Sequence, residues 1–320
     1  MALAEAADVV VIAPATASTI AHLAVGMADD MLTCTVLATK APVIIAPAMN
    51  DNMFANPITQ ENIEKLKARN FIFIEPAYGR LASGKTGKGR LAEIDKILGT
   101  IRKVLGRCGD MAGRKIVITA GGTREPIDPV RYIGNRSSGK MGYALAEAAR
   151  DRGADVMLVT TTTCLPETAG MQVIDVATAT EMKKAVTDAV KNADALVMAA
   201  AVADYRPENA ATSKIKKDNA GLTLELVKTA DILAETKGDF IKVGFAAESE
   251  NLINNVKKKL KGKDLDLIIA NDITDKDSGF DADTNKVTII DKSGKVEELP
   301  LMSKREVADK ILDRVVELIG

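Results

Sequence analysis

The stretch Lys115–Thr161, "KIVITAGGTREPIDPVRYIGNRSSGKMGYALAEAARDRGADVMLVTT", decides the fold. It opens on the β-rich run "KIVITAGG" and passes through a long polar excursion. It then sets Ser137, Ser138, Gly139 and Gly142 at the head of a helical pattern that ends in a second apolar run, "ADVMLVTT". A strand, a helix opened by small residues and a second strand form a βαβ nucleotide unit, here with an insertion between strand and helix. The glycine pattern alone does not specify a ligand. "GNRSSGKM", Gly134–Met141, comes close to the phosphate-loop pattern, but Met141 replaces the hydroxyl that would hold magnesium and no strand lies directly ahead.

Downstream the alternation continues. "ATEMKKAVTDAVKN" reads as helix and "ADALVMAAAVADY" as strand; after a polar segment come "LTLELVK", "FIKVGFAAE", "LDLIIAND", "KVTIID" and a last helix, "KREVADKILDRVVELIG". This is a complete doubly wound α/β domain. Upstream, "DVVVIAPAT", the helical "STIAHLAVGMADDMLTCTVLAT", "APVIIAPA", the helical "ITQENIEKLKAR" and "FIFIEP" repeat the same alternation. They supply about three strands, whereas parallel sheets buried on both faces usually have roughly five or six. The polar stretch "RCGDMAGR" separates the halves, giving expected domains 1–110 and 111–320.

With 320 residues, 47% apolar and 27% charged, the chain is long enough for two packed cores. A net charge of -1 provides no global field for nucleic acid or an anionic membrane, so small-molecule chemistry is expected at a local anion site. The absence of a spanning apolar run and of a signal-peptide pattern leads to an expected cytoplasmic location. Cys34, Cys108 and Cys164 form no C-x-x-C pair, and with His22 as the single histidine no zinc set can be drawn. His22 lies in a helical pattern and is given no role.

"GRLASGKT", Gly79–Thr86, matches the phosphate-loop pattern at every specified position. A phosphate loop needs a helix to open at the Lys-Thr pair, with its amides facing the anion. Gly87 and Gly89 stand where that first turn would run, each costing roughly 1 kcal/mol against alanine. The helix is expected near Leu91 instead, and the stretch is expected to be a glycine-rich flap; a P-loop NTPase using Lys85 and Thr86 stays open as an alternative.

"ITAGGTREPIDPVRYIGNRSSGKMG", "AAAVADYRP", "SKIKK" and "GFAAE" together resemble phosphopantothenoylcysteine synthetase, the ligase half of the bifunctional coenzyme A biosynthesis proteins. "APATAST", "PAMNDNMF" and "LASGKTGKGRLAE" resemble the C-terminal part of the same family's flavin-dependent decarboxylase half. The match covers nearly the whole chain in order. It implies a Rossmann-like ligase domain preceded by an incomplete flavodoxin-like flavoprotein domain.

The resemblance further implies that 4'-phosphopantothenate and cysteine are joined at the expense of CTP. The substrate carboxylate attacks the α-phosphate, pyrophosphate leaves, and the cysteine amine opens the acyl-cytidylate to release CMP. Magnesium would be held through the nucleotide phosphates, and a homo-oligomer, a ligase-domain dimer, is expected. Asn135 would serve the turnover of the acyl-cytidylate. Met198, Ala199, Ala200 and Asp204 would lie against the nucleotide, Lys214 would reach it from "KIKK", and Ala230, Asp231, Ile232 and Leu233 would offer a backbone edge. Phe245 would pack on the base, and Lys259 and Lys263 would face the phosphates.

In the decarboxylase half, Asn50 and Met53 match substrate-holding residues, with Phe54 in place of the usual tryptophan, and Ser83 aligns with the family's flap cysteine. The family's N-terminal flavin loop and catalytic histidine would lie ahead of "ALAEAADVVVIAPAT" and are not in the sequence. The expectation is therefore a decarboxylase half lacking its N-terminal part, with neither FMN retention nor decarboxylation. A non-catalytic flavoprotein subunit completed by another chain is the remaining alternative.

Overall fold

In the computed structural model, which describes residues 2–165, 168–216, 222–248, 258–272 and 282–320, contacts group the chain into two units. One comprises Met1–Arg107 with Glu167–Gly170, the other Cys108–Pro166 with Met171–Gly320. Among the described residues no helix is long and apolar enough to cross a membrane.

The first unit runs α1 (Ala2–Ala6), β1 (Val10–Ala15), α2 (Ala17–Val25), α3 (Met31–Ala38), β2 (Val43–Pro47), α4 (Asp51–Ala55), α5 (Pro57–Lys67), β3 (Ile72–Phe73), β4 (Ala77–Arg80), β5 (Thr86–Arg90) and α6 (Ile94–Gly106). Strands β1, β2 and β3 form a parallel sheet of three in that order. Strand β2 is buried throughout, with Val43 and Ile45 packed on one cluster and Ile44 and Ala46 on another, because successive side chains leave opposite faces. The run expected as one helix from Ser18 is two. Gly26 closes α2 in the left-handed region at φ 72, and Asp30 restarts the chain with a capping box to Thr33. His22, in the last turn of α2, has Nδ1 3.6 Å from Asp29 Oδ1.

The second unit runs β6 (Lys115–Ala120), β7 (Arg124–Pro126), β8 (Tyr132–Gly134), α7 (Lys140–Asp151), β9 (Asp155–Thr160), β10 (Gln172–Asp175), α8 (Ala179–Ala189), β11 (Ala195–Met198), β12 (Tyr205–Pro207), β13 (Leu226–Lys228), α9 (Ile232–Glu235), β14 (Ile241–Glu248), β15 (Leu267–Asp272), β16 (Thr284–Asn285), β17 (Val287–Asp291), β18 (Val296–Glu298), β19 (Met302–Ser303) and α10 (Lys304–Ile319). Eight strands make one sheet in the order β10-β9-β6-β11-β14-β15-β17-β18. It is parallel from β10 to β15, and its far edge, β17 and β18, is antiparallel.

Period-two alternation divides the core between the two faces. Ile116, Ile118, Ala195 and Val197 pack against α7 and α10, while Val117, Leu196 and Met198 face α8 and α9. From β6 the chain winds outward to β9 and β10 and then returns to β11 on the other side, so the strand order reverses between β6 and β11. In open sheets such a reversal leaves a crevice at the strands' carboxyl ends.

Candidate active site

The loops leaving β6 and β11 are zipped together beyond the sheet. Ala201 N donates to Gly121 O (2.8 Å), Thr123 N to Ala201 O (3.2 Å) and Ala203 N to Thr123 Oγ1 (2.9 Å). The run expected as a strand through Tyr205 is therefore regular only to Met198; beyond it the backbone follows its neighbour's loop.

Glycines make this crevice tight. A Cβ on Gly142 would lie 2.6 Å from Ala120 Cβ and 2.7 Å from Thr119 O, so α7 rests directly on β6. Gly139, at φ 78, is the N-cap of α7 and makes no side-chain cap bond. Ser137 and Ser138 turn their hydroxyls toward the amides of Gly139 (3.3 Å) and Lys140 (3.5 Å).

A cavity of about 790 Å³ opens at this point. Asn135, Met198, Ala199, Ala200, Asp204, Ala230, Asp231, Ile232, Leu233, Phe245, Lys259 and Lys263 all line it. Asn135 is exposed, and its Nδ2 donates to Val202 O (3.0 Å), which holds the amide on the zipped loop. Asp231 caps α9 through Ala234 N (3.2 Å) and pairs with Lys263 Nζ (2.9 Å).

Lys214 does not line the cavity. It is exposed on a strap whose neighbour Ile215 is fixed by two bonds, Ile215 N to Asp128 Oδ2 (3.1 Å) and Arg131 Nη2 to Ile215 O (2.9 Å). The Arg131 guanidinium beside Asp128, with backbone amides on the same carboxylate, holds that carboxyl far below the usual range. Lys217, the last residue of "SKIKK", lies outside the described residues.

Sequence reading did not single out Lys140, Lys228, Lys304, Asn271 or Asn285, which also line the cavity. Lys140 is visible beside the Ser-Ser-Gly run, but the others sit on elements with no local signature. Lys140 Nζ pairs with Asp283 (2.7 Å), and this hydrogen bond lowers the Asp283 carboxyl's pKa. Among the described residues no group of three His, Cys, Asp or Glu side chains could hold a metal ion.

In the first unit "GRLASGKT" is a β-hairpin. Arg80 pairs with Thr86 across antiparallel β4 and β5, and the turn amides are already used, Leu81 N by Lys85 O (2.8 Å) and Gly84 N by Leu81 O (2.9 Å). No helix opens at Lys85, so the phosphate-loop alternative is corrected: α6 begins at Ile94. Gly87 and Gly89 let β5 lie on the segment before and into α4, where a Cβ would meet Asp51 Cβ at 2.8 Å and Met49 O at 2.2 Å. Lys88 sits over the Phe54 ring at 5.4 Å. Asn50 caps α4 through Asn52 N (3.0 Å), Met53 is half exposed on α4, and Ser83 is exposed in the hairpin turn.

Residues 111–319 match the family described as the DNA/pantothenate metabolism flavoprotein C-terminal domain, and residues 1–106 match the flavoprotein family. Among similar proteins, the coenzyme A biosynthesis bifunctional protein CoaBC of Bacillus subtilis is 47% identical over 98% of this chain and 79% of its own length. A cysteine/cysteine sulfinic acid decarboxylase from an unknown prokaryotic organism is 43% identical over 98% of this chain and 89% of its own. A crystal structure of the C-terminal domain of a CoaBC protein superposes with TM-score 0.57 at 40% identity, covering 66% of this chain and 98% of that one. Identity at this level along nearly the full length, with both domain families in order, shows that the chain belongs to the CoaBC family of bifunctional coenzyme A biosynthesis proteins.

Proposed function

We propose that the second unit ligates 4'-phosphopantothenate to cysteine with CTP. The observation that carries this reading is that twelve residues scattered from Asn135 to Lys263 converge on one cavity at the reversal of strand order. In the proposed reaction the pantothenate carboxylate attacks the α-phosphorus, the P–O bond to pyrophosphate breaks, and an acyl-cytidylate forms. The cysteine amine then attacks the acyl carbon, CMP leaves with the C–O bond pair, and the amine proton passes to solvent.

Asn135, a neutral amide held by Val202 O, suits hydrogen bonding to an acyl or phosphoryl oxygen without adding charge. Lysines from several elements neutralise the phosphates locally, which a chain of net charge -1 requires. Magnesium in this reading arrives with the nucleotide phosphates. The test is pyrophosphate release by the purified chain: release that needs CTP, magnesium, 4'-phosphopantothenate and cysteine together supports the reading, and a folded chain that releases none overturns it.

For the first unit we propose a flavin site at the carboxyl ends of β1 and β2, revising the expectation of no FMN retention because residues 1–106 match the flavoprotein family. Thr16, Thr19 and Asn50 stand there, with the two hydroxyls 3.0 Å apart, a donor and acceptor set that fits the polar edge of FMN. FMN, when bound, would supply the two-electron chemistry of decarboxylation. Ser83 offers a hydroxyl where the resemblance has a thiol, and a hydroxyl is a far weaker acid than a thiol near pKa 8.5. Decarboxylation of phosphopantothenoylcysteine by this chain is therefore expected to be negligible. Measurable decarboxylation unaffected by Ser83→Cys would overturn that.

A further inference from the structure

We infer that Lys140 and Lys304 form a second phosphate-binding subsite in the cavity, separate from Lys259 and Lys263. The inference rests on the reading of this cavity as the place where phosphorylated reactants meet. Lys140 and Lys304 are the first residues of α7 and α10, and both line the cavity. Helices α7 and α10 cover one face of the sheet, whereas Leu260, between Lys259 and Lys263, packs with Ile232 and Leu233 on the other. The cavity therefore has lysines on both sides of the sheet's carboxyl edge.

Lys304 is held deep, only 6% exposed, and its backbone N donates to Asp283 O (2.9 Å). Lys140 Nζ already binds an anion, the carboxylate of the same Asp283, whose side chain is 91% exposed. An ion pair open to solvent exchanges readily with a competing anion. A phosphate dianion carries more charge and more acceptor oxygens than the carboxylate, and can engage two ammonium groups together.

The helix that carries Lys304 is anchored to its neighbours. Arg305 Nη1 donates to Asp151 Oδ2 (2.7 Å), Arg152 Nη1 to Asp313 Oδ1 (2.9 Å), and the end of α10, Gly320 O, accepts from Arg114 Nη2 (2.8 Å) beside the start of β6. These bonds tie α10 to the carboxyl end of α7 and to the start of β6, so the helix that carries Lys304 is held in place against the sheet. Of the cavity lysines, Lys263 is engaged by the carboxylate of Asp231 and Lys140 by that of Asp283. One set of lysines suits the nucleotide phosphates; the other suits a phosphate from the same nucleotide or the phosphomonoester of the acid.

The test is calorimetric titration of the full chain with inorganic pyrophosphate, comparing wild type with Lys140→Gln, Lys304→Gln and Lys304→Arg. Each glutamine variant is expected to bind at least tenfold more weakly, and the arginine variant to keep most of the affinity. If Lys304→Gln fails to fold, Lys140→Gln carries the comparison, because the Lys140 side chain is partly exposed. Unchanged pyrophosphate affinity in folded glutamine variants, or no binding by wild type, refutes the subsite. Neither result depends on turnover, so the ligase reading stands or falls separately. Steady-state kinetics then separate the sources. A raised KM for CTP alone places nucleotide phosphate at the pair, a raised KM for 4'-phosphopantothenate with lost preference over unphosphorylated pantothenate places the phosphomonoester there, and a change in neither refutes the proposal.

Discussion

Asn135 and Asp128 are single polar groups of the β6–α7 excursion in opposite settings, one exposed on the cavity wall and the other buried in the fold. Asn135→Asp puts a negative charge on the cavity wall beside the proposed acyl and phosphoryl centre while keeping the side chain's size. Its expected effect is a fall in kcat of at least tenfold with a smaller change in CTP affinity, read from turnover and nucleotide titration together; lost binding with normal turnover of what binds would reverse the role. Asp128 is buried and serves the fold, accepting from Val130 N, Arg131 N and Ile215 N as well as the Arg131 side chain. Its carboxyl is more acidic in the folded chain than in the unfolded one. The stability it contributes is thus fully present above the unfolded carboxylate value of about 4 and is lost as pH falls through the lower folded value. Asp128→Asn should lower the denaturation midpoint at neutral pH and flatten its decline below about pH 4. It should also release the strap that carries Lys214, measurable as faster amide exchange at Ile215. A variant with the wild-type pH profile would show that Asp128 is not the group responsible.

Among the elements, α7 carries the most consequence, because its position depends on the absence of one side chain. Gly142→Ala places a methyl within 3 Å of Ala120 and Thr119 O, so the helix must lift from β6. The expected cost is about 1–3 kcal/mol, as for other overpacked contacts. The cavity should suffer with it, since Gly139, Lys140 and Met141 move together, and CTP use should fall more than stability alone explains. Equal thermal stability to wild type would show that the contact relaxes without cost. The hairpin β4–β5 follows the same rule in the first unit: Gly87 and Gly89 let a backbone strand lie on Met49 and Asp51, where any side chain would collide. The sequence marks these glycines as helix breakers but does not say what approaches them.

For the whole molecule, the division at Arg107 and Cys108 leaves the second unit with its own eight-stranded sheet and two core layers. A fragment from Cys108 onward is expected to unfold in one cooperative transition and to release pyrophosphate at a rate within severalfold of the full chain. A fragment that is folded but inactive would show that the first unit contributes to ligation. What the sequence by itself determined is the local periodicity: apolar runs of period two, helical runs with caps such as Thr178–Glu181 and Ser303–Glu306, and the small residues opening α7. These are legible because each depends on residues within a few positions of one another. Short or exposed strands such as β10 and the β7–β8 pair were not legible, since they lack an apolar stripe and exist only through their partners. Tertiary structure alone decided the antiparallel far edge, the hairpin made of "GRLASGKT", the strap that keeps Lys214 outside the cavity, and the convergence of Lys140 and Lys304 on one cavity. Each of these depends on strand order and register between segments tens to more than a hundred residues apart, and spacing within one segment carries no information about which distant backbone will supply its hydrogen bonds.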